Sequence, residues 1–335
     1  MSINILQPGL LTTVQDLGRH GYQRQGFIVS GGMDPYSLRL ANMLVGNRED
    51  EAVLEMTLKG PVLEFQNDAV IAIVGGNFTP SIEGRSLPLG KPVLVKKNNV
   101  VKMGSCSEGC RAYVACAGGI NVPEVMNSKS TYLRAEIGGF HGRPLQAGDI
   151  LKAGKTDEKN GRVFSYLASG QSERFISTTW SINRKPFIPV KEKGPIRVIK
   201  GTHFHLFTNN AKRKFFQKEF KINPQSDRMG YRLRGPLLQK DENKDILSEA
   251  VALGTVQVPS DGNPVILMAD RQTTGGYPRI AQVILTDIPR LAQLKPGDSL
   301  HFEEVTIQEA EELLLKKEQD MKEVQTGLTI KFDNS

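Results

Sequence analysis

Short apolar runs rich in β-branched residues, cut by glycine, proline, asparagine or aspartate, set the rhythm of this chain. They include "AVIAIVGG" (69–76), "PVLVKKNNVVKM" (92–103), "RAYVACAGG" (111–119), "IRVIKG" (196–201), "GTVQVP" (254–259), "PVILMAD" (264–270) and "AQVILTD" (281–287). Their lengths and punctuation predict strands of a barrel or sandwich. Helical periodicity is scarce. "DPYSLRLANMLVG" (34–46) sets Leu38, Ala41, Met43, Leu44 and Val45 mostly on one face, with Asp34 as N-cap, Pro35 in the first turn and Gly46 as the stop. "TIQEAEELLLKKEQDMKE" (306–323) predicts a terminal surface helix capped by Thr306, with a frayed polar end beyond about residue 325. The basic run "AKRKFFQKEFK" (211–221) puts Phe215, Phe216 and Phe220 at helical spacing.

Several features recur in order. Arg-x-Gly-Tyr-x-x-x-Gly occurs at Arg19–Gly26 and again at Arg228–Gly235. Glu55 and Glu249 follow, each with a glycine five residues on, and each half closes on a Gly-Asp turn, "QAGDILKAG" (146–154) and "LKPGDSLHF" (294–302). Together they indicate a duplicated β-rich domain. The polar stretch of about 155–195, with "TDEKNGR" and "NRKPFIPVKEKGP", is expected to connect the halves. The expected division is a first domain at 1–190 with the connecting segment, a second at 191–305, and a C-terminal helix and tail at 306–335.

Composition adds mainly exclusions. The chain of 335 residues is 39% hydrophobic and 24% charged, near the globular average. Its net charge of +7 is scattered, and the one basic run is accounted for by an amphipathic helix with a solvated lysine face, so no nucleic-acid partner is expected. Three cysteines, Cys106, Cys110 and Cys116, lack nearby partner histidines and are expected to be structural thiols in a reducing cytosol. The N-terminus lacks a basic n-region with a long apolar core, and no stretch approaches the ~20 apolar residues of a membrane span. The expected location is the cytoplasm.

Candidate chemistry narrows by elimination. "GDILKAGKT" (148–156) ends as a phosphate loop does, but five residues separate Gly148 from Gly154 where the nest needs four. "VKMGS" (101–105) lacks the methionine before Lys102 that a biotin-carrier turn carries. No Gly-x-Ser-x-Gly elbow is present, and His203-x-His205 reads as a partly exposed strand pair without a third metal ligand. What remains are clusters of polar residues and glycines. The densest, "ADRQTTGGYPRIAQV" (269–283), offers the Asp270 carboxylate, the Arg271 guanidinium, the Gln272 amide and the Thr273 and Thr274 hydroxyls before a Gly-Gly turn. That set suits a carboxylate or phosphate ligand, or else a turn that satisfies its own backbone.

"TTVQDLGRHGYQRQGFIVSGGMDPYSLRLANMLVGN", "AGGINVPEVMNSKSTYLRAEIGGFHGRPLQAGD", "SDRMGYRLRGP" and "GTVQVPSDGNPVILMADRQTTGGYPRIAQV" resemble the signature blocks of the biotin-dependent carboxyltransferase, or allophanate hydrolase subunit 2, family, over about residues 5–305. The resemblance implies a mainly β fold of two cyclophilin-like β-barrel domains from an internal duplication, with a few short helices and a C-terminal helix. It also implies that a stand-alone chain of this length serves beside subunits A and B of an ATP-dependent 5-oxoprolinase, which opens 5-oxoproline to L-glutamate. ATP would then be a substrate of the complex, with no biotin attached to this chain. Asp270, Arg271 and Gln272 are the catalytic candidates, and Arg19, Tyr22, Arg228, Tyr231 and Thr273 the candidates for substrate or anion binding, with no metal. Two alternatives accompany that function. One is a binding protein that captures a homologue of the B subunit, itself a sporulation-kinase inhibitor; the other is a carboxyltransferase component of a biotin-dependent carboxylase.

Overall fold

The apolar runs become strands because pairing satisfies their backbone groups while burying at least one face of each. The computed structural model describes residues 1–169, 174–188, 194–241 and 246–333. These are mainly β, with helices α1 (Pro35–Leu44), α2 (Glu158–Ala168), α3 (Asn209–Gln217), α4 (Ile288–Ala292) and α5 (Ile307–Asp333). Two compact units are present, one of Met1–Arg19, Asp34–Lys191 and Asp320–Ser335, the other of His20–Met33 and Glu192–Gln319. The boundary expected at 190/191 lies outside the described residues.

The first unit contains a six-stranded sheet, in the order Phe175–Ser177, Pro92–Val95, Ala69–Phe78, Cys106–Cys116, Val53–Thr57 and Leu11–Gln15. One face, with Val14, Leu54, Met56, Ile71, Ile73 and Val114, shares a core with Ile3, Ile5, Leu63 and Phe65 of a seven-stranded sheet. The alternate residues Val53, Val70, Ala72, Val74, Leu94 and Ala115 pack against α1 and α2. Burial on both faces is why "AVIAIV" reads as one apolar run instead of alternating.

Helix α1 starts and stops as its sequence predicts. The Asp34 carboxylate accepts from the Ser37 N–H at 3.0 Å, and Gly46 has φ +77, where a Cβ would come within 2.9 Å of the Lys159 carbonyl. Helix α2 corrects the expectation of a plain connecting segment. Asp157 and Asn160 form a reciprocal capping box, and Val163 and Leu167 are buried against the first unit. The C-terminal end of α5 is likewise ordered rather than frayed. Leu328 and Phe332 are 6% and 7% exposed, and the Phe332 ring meets Tyr166 and Trp180 at 5.6 and 5.7 Å. Phe332→Ala is therefore expected to destabilise the first unit by about 3 kcal/mol in chemical denaturation; an unchanged midpoint would mean that the helix end contributes nothing.

In the second unit an eight-stranded sheet runs Ser299–Leu300, Phe220–Ile222, Gly230–Arg234, Val265–Leu267, Thr255–Gln257, Arg279–Val283, Ile196–Lys200 and Phe302–Glu304, the last two strands being parallel. The basic run 211–221 is only partly helical. Helix α3 ends at Gln217, Lys218 is extended, and Phe220 pairs with Leu300 in the sheet. Phe215 stacks on Phe302 at 4.4 Å, so helix and strand place their aromatics in one core.

The two Gly-Asp turns keep the same local structure. Asp149 accepts from the Gln146 N–H at 2.7 Å and Asp298 from the Lys295 N–H at 3.0 Å, with Gly148 at φ +91 and Gly297 at φ +95. Arg143 also grips Asp149 with two bonds of 2.8 Å, and this contact, opposed by burial, holds the Asp149 carboxyl below its ordinary value. A lowered folded pKa gives stability that is present above the unfolded pKa of about 3.9 and is lost as pH falls through the folded value. The stability difference between wild type and Asp149→Asn is accordingly expected to be constant near neutrality, no more than about 1 kcal/mol, and to shrink below about pH 4. A pH series of urea midpoints measures it.

Candidate functional site

Charge gathers in the second unit where the Val265–Leu267 strand runs out. The strand's path is fixed by two backbone bonds, Met268 N–H to the Met229 carbonyl at 2.9 Å and Asp270 N–H to the Arg228 carbonyl at 2.8 Å. These bonds set the Arg228 and Asp270 side chains together. Arg228 Nε donates to Asp270 Oδ2 at 2.9 Å and Nη2 to Oδ1 at 3.1 Å, with the two side chains 7% and 6% exposed. Ser30 Oγ donates to Asp270 Oδ1 at 2.7 Å, and Arg228 Nη2 to the Gly31 carbonyl at 2.5 Å, so the 20–33 segment is tied to the pair. A bidentate, desolvated pair with further hydrogen bonds is rigid, and its charges cancel.

Arg271 is left with the surplus charge. It is half-buried, its Nε has no hydrogen-bond partner, and Nη1 reaches only the Met268 carbonyl, at 3.5 Å. Burial pushes its pKa down, with neighbouring Asp270 opposing the shift. Asp270 is already committed to Arg228, so the Arg228–Asp270–Arg271 cluster carries one net positive charge with guanidinium donors to spare. An anion is what such a group accepts. Gln272 and Thr273 follow, half-buried, and the Thr273 carbonyl accepts from the Val251 N–H at 3.1 Å.

Beyond Thr273 the loop enters a two-stranded ribbon of Thr274–Gly275 with Glu249–Ala250. Arg279 holds the ribbon, pairing with the Glu249 carboxylate and donating to the Ala250 carbonyl at 3.1 Å. Glu249 is thus an exposed ribbon residue. In the first unit, by contrast, Glu55 is 2% exposed and accepts from Tyr113 Oη at 2.7 Å, while that hydroxyl accepts from the Asp34 N–H at 2.7 Å. Burial, reinforced by Glu55, drives the Tyr113 pKa well above its ordinary value, so this phenol stays protonated and links the sheet to the start of α1.

Residues 25–304 match the carboxyltransferase domain family, subdomains A and B. The chain belongs to this carboxyltransferase domain family. Relatives within it include the 5-oxoprolinase C subunit of Escherichia coli, 36% identical over 318 residues that span 95% of this chain and 94% of that protein. The 5-oxoprolinase C subunit of Haemophilus influenzae is 36% identical over 94% of this chain and 95% of that protein. The crystal structure of the Kluyveromyces lactis urea amidolyase superposes with a TM-score of 0.85 at 30% identity; it covers 96% of this chain, which spans only 20% of that larger protein.

Within this carboxyltransferase domain the residues singled out by sequence lie in different settings. Arg228, Asp270 and Arg271 come together, with Gln272 and Thr273 following on the same loop. Tyr231 points into the second unit's core, its hydroxyl 3.4 Å from the Leu294 carbonyl. Tyr22 is half-buried at the start of a short 3-10 turn, Gln23–Gln25. Arg19 belongs to the first unit, is 1% exposed, and donates to the Val125 and Ser130 carbonyls at 3.0 and 2.9 Å. The two Arg-x-Gly-Tyr copies thus have unlike local structures, a loop in one case and the entry to a strand in the other. His203 and His205 sit on a 3-10 turn instead of a strand, and among the described residues no three His, Cys, Asp or Glu side chains converge to hold a metal ion. No helix among the described residues is long and apolar enough to cross a membrane.

Ser30 and Gln257 were not singled out by sequence. Ser30 carries no local signal, being 240 positions from its partner Asp270. Gln257 does carry one. It stands between Val256 and Val258 in "TVQV", so alternation sends the two valines to the core and the amide to the other face.

Proposed function

We propose that this chain is the C subunit of an ATP-dependent 5-oxoprolinase, acting in the cytoplasm with subunits A and B. The observation that carries the proposal is end-to-end similarity to proteins of that name, at 36% identity over 95% of the chain. The Arg228–Asp270–Arg271 cluster supports it chemically. A lactam amide resists water, so the route transfers the γ-phosphoryl of ATP to the lactam oxygen. Water then adds to the activated carbon, the ring nitrogen leaves as the amine, and a second water cleaves the acyl phosphate to glutamate and phosphate. Every stage carries an anion, the substrate carboxylate first. Arg271 would bind that carboxylate or the developing phosphate charge, with Gln272 and Thr273 orienting the ring. Asp270 and Arg228 would hold the loop and tune Arg271, rather than touch the reacting atoms.

The test is 5-oxoproline-dependent release of ADP and glutamate by the chain alone, then with subunits A and B, with and without biotin. Turnover in the three-part mixture only, indifferent to biotin, is the expected result. Turnover requiring biotin and bicarbonate would establish instead a carboxyltransferase component, the reading favoured by the likeness to urea amidolyase. A complete mixture without turnover overturns the proposal, and tight capture of the B subunit in that case would indicate an antagonist of a kinase inhibitor.

A further inference from the structure

Gln257 lies in the middle of the eight-stranded sheet, on the Thr255–Gln257 strand, opposite Val265 on one side and Arg279 on the other. Its side chain leaves the sheet on the face away from the core occupied by Val256 and Val258. The residue is 2% exposed, yet among the described residues its Nε2 has no hydrogen-bond partner. A buried amide donor without an acceptor carries its full desolvation penalty, and folded proteins keep few such groups. The neighbouring polar groups on this face are satisfied. Thr255 Oγ1 donates to Gln282 Oε1 at 2.8 Å, Gln282 Nε2 to the Leu253 carbonyl at 2.7 Å, and Arg279 to Glu249 and Ala250.

The cover over Gln257 is the ribbon. A Cβ built on Gly275 would stand 2.4 Å from Gln257 Nε2, so at this point only glycine lets the ribbon backbone rest on the amide. The ribbon is thin. Two residue pairs join its strands, Glu249 with Gly275 and Ala250 with Thr274, and all but Gly275 are exposed. Gly275 lies four residues from Arg271 along the same loop, a span of at most about 14 Å of extended chain, so the unpartnered amide and the surplus guanidinium border one region.

We infer that Gln257 is a ligand-binding residue whose Nε2 donates to an uncharged carbonyl oxygen of a small cyclic amide, admitted when the Glu249–Ala250/Thr274–Gly275 ribbon lifts. The amide suits a neutral acceptor because the cation beside it on the sheet, Arg279, is already paired with Glu249, leaving no net positive charge there. The anionic part of the ligand falls to Arg271. The ligand's identity, 5-oxoproline, rests on the proposed function; the donor and its cover do not.

Gln257→Leu and Gly275→Ala test the inference. Leucine removes the orphan donor, so the purified chain is expected to melt at the same temperature or higher, whereas a residue with a structural role would lose stability. In the reconstituted complex each variant is expected to raise the KM for 5-oxoproline about tenfold or more, since one lost hydrogen bond to a buried partner is worth about that factor, with the KM for ATP unchanged. The double variant is expected to be no worse than either single, because both act on one amide. Separately, 5-oxoproline or the uncharged 2-pyrrolidinone is expected to raise the melting temperature of the wild-type complex and not that of Gln257→Leu. Unchanged KM in a stable Gln257→Leu complex overturns the inference while leaving the 5-oxoprolinase function standing. A wild-type complex that never turns over but is stabilised by 2-pyrrolidinone through Gln257 overturns that function and keeps the inference.

Discussion

Asp270→Ala is expected to lower the stability of the second unit by about 3–5 kcal/mol, the cost of leaving a buried charge without its partner. The charge is that of Arg228, whose side chain is 7% exposed and which gives Asp270 both Nε and Nη2. The variant also strands the Ser30 hydroxyl, which donates to the same carboxylate. Urea or guanidinium unfolding of the purified chain measures the loss. A double replacement, Arg228→Met with Asp270→Leu, is expected to regain most of it, since removing both charges removes the desolvation problem along with the attraction. An Asp270→Ala protein as stable as wild type would mean that water reaches the guanidinium and that the pair is not a rigid support.

Arg271→Met is expected to separate activity from stability in the opposite sense. The guanidinium is half-buried, its Nε is unpartnered, and burial already disfavours its charge, so an apolar side chain of similar reach is expected to leave the midpoint unchanged or slightly raised. Turnover by the reconstituted complex is expected to fall about a hundredfold or more, the usual loss on removing one charge-stabilising donor from an active site. Arg271→Lys retains the charge without the planar fork and is expected to fall between. Parallel losses of stability and turnover in Arg271→Met would assign the residue to the scaffold instead.

The elements that sequence and structure share are those specified by nearest neighbours. The β runs were legible because β-branched residues stop at glycine, proline or asparagine, and α1 because Asp34, Pro35 and Gly46 punctuate it. Both Gly-Asp turns were legible for the same reason. Helix α2 carried an equally local signal in Asp157 and Asn160, obscured by the polarity of its outward face. The run 211–221 misled because helical spacing of Phe215, Phe216 and Phe220 says nothing about backbone pairing. Phe220 leaves the helix pattern to bond with Leu300, a partner 80 positions away that no local pattern contains. The candidate site divides along the same line. "ADRQTTGG" was conspicuous for its composition, and the loop does present Arg271 with donors unspent. That Asp270 would be spent on Arg228, and Arg19 on two carbonyls, depends on contacts across 42 and 106 or more positions.

By itself the sequence determined what short-range sterics and hydrogen bonding can enforce: a mainly β chain, the caps of α1, the Gly-Asp turns, and a polar glycine-rich loop suited to an anion. The tertiary structure decided which charges on that loop remain available, because a carboxylate or guanidinium is neutralised or left unpartnered by whatever long-range packing brings within about 3 Å. It is in that packing, with Ser30 and Arg228 closing on Asp270 and Gly275 resting on Gln257, that one guanidinium and one amide donor were left over.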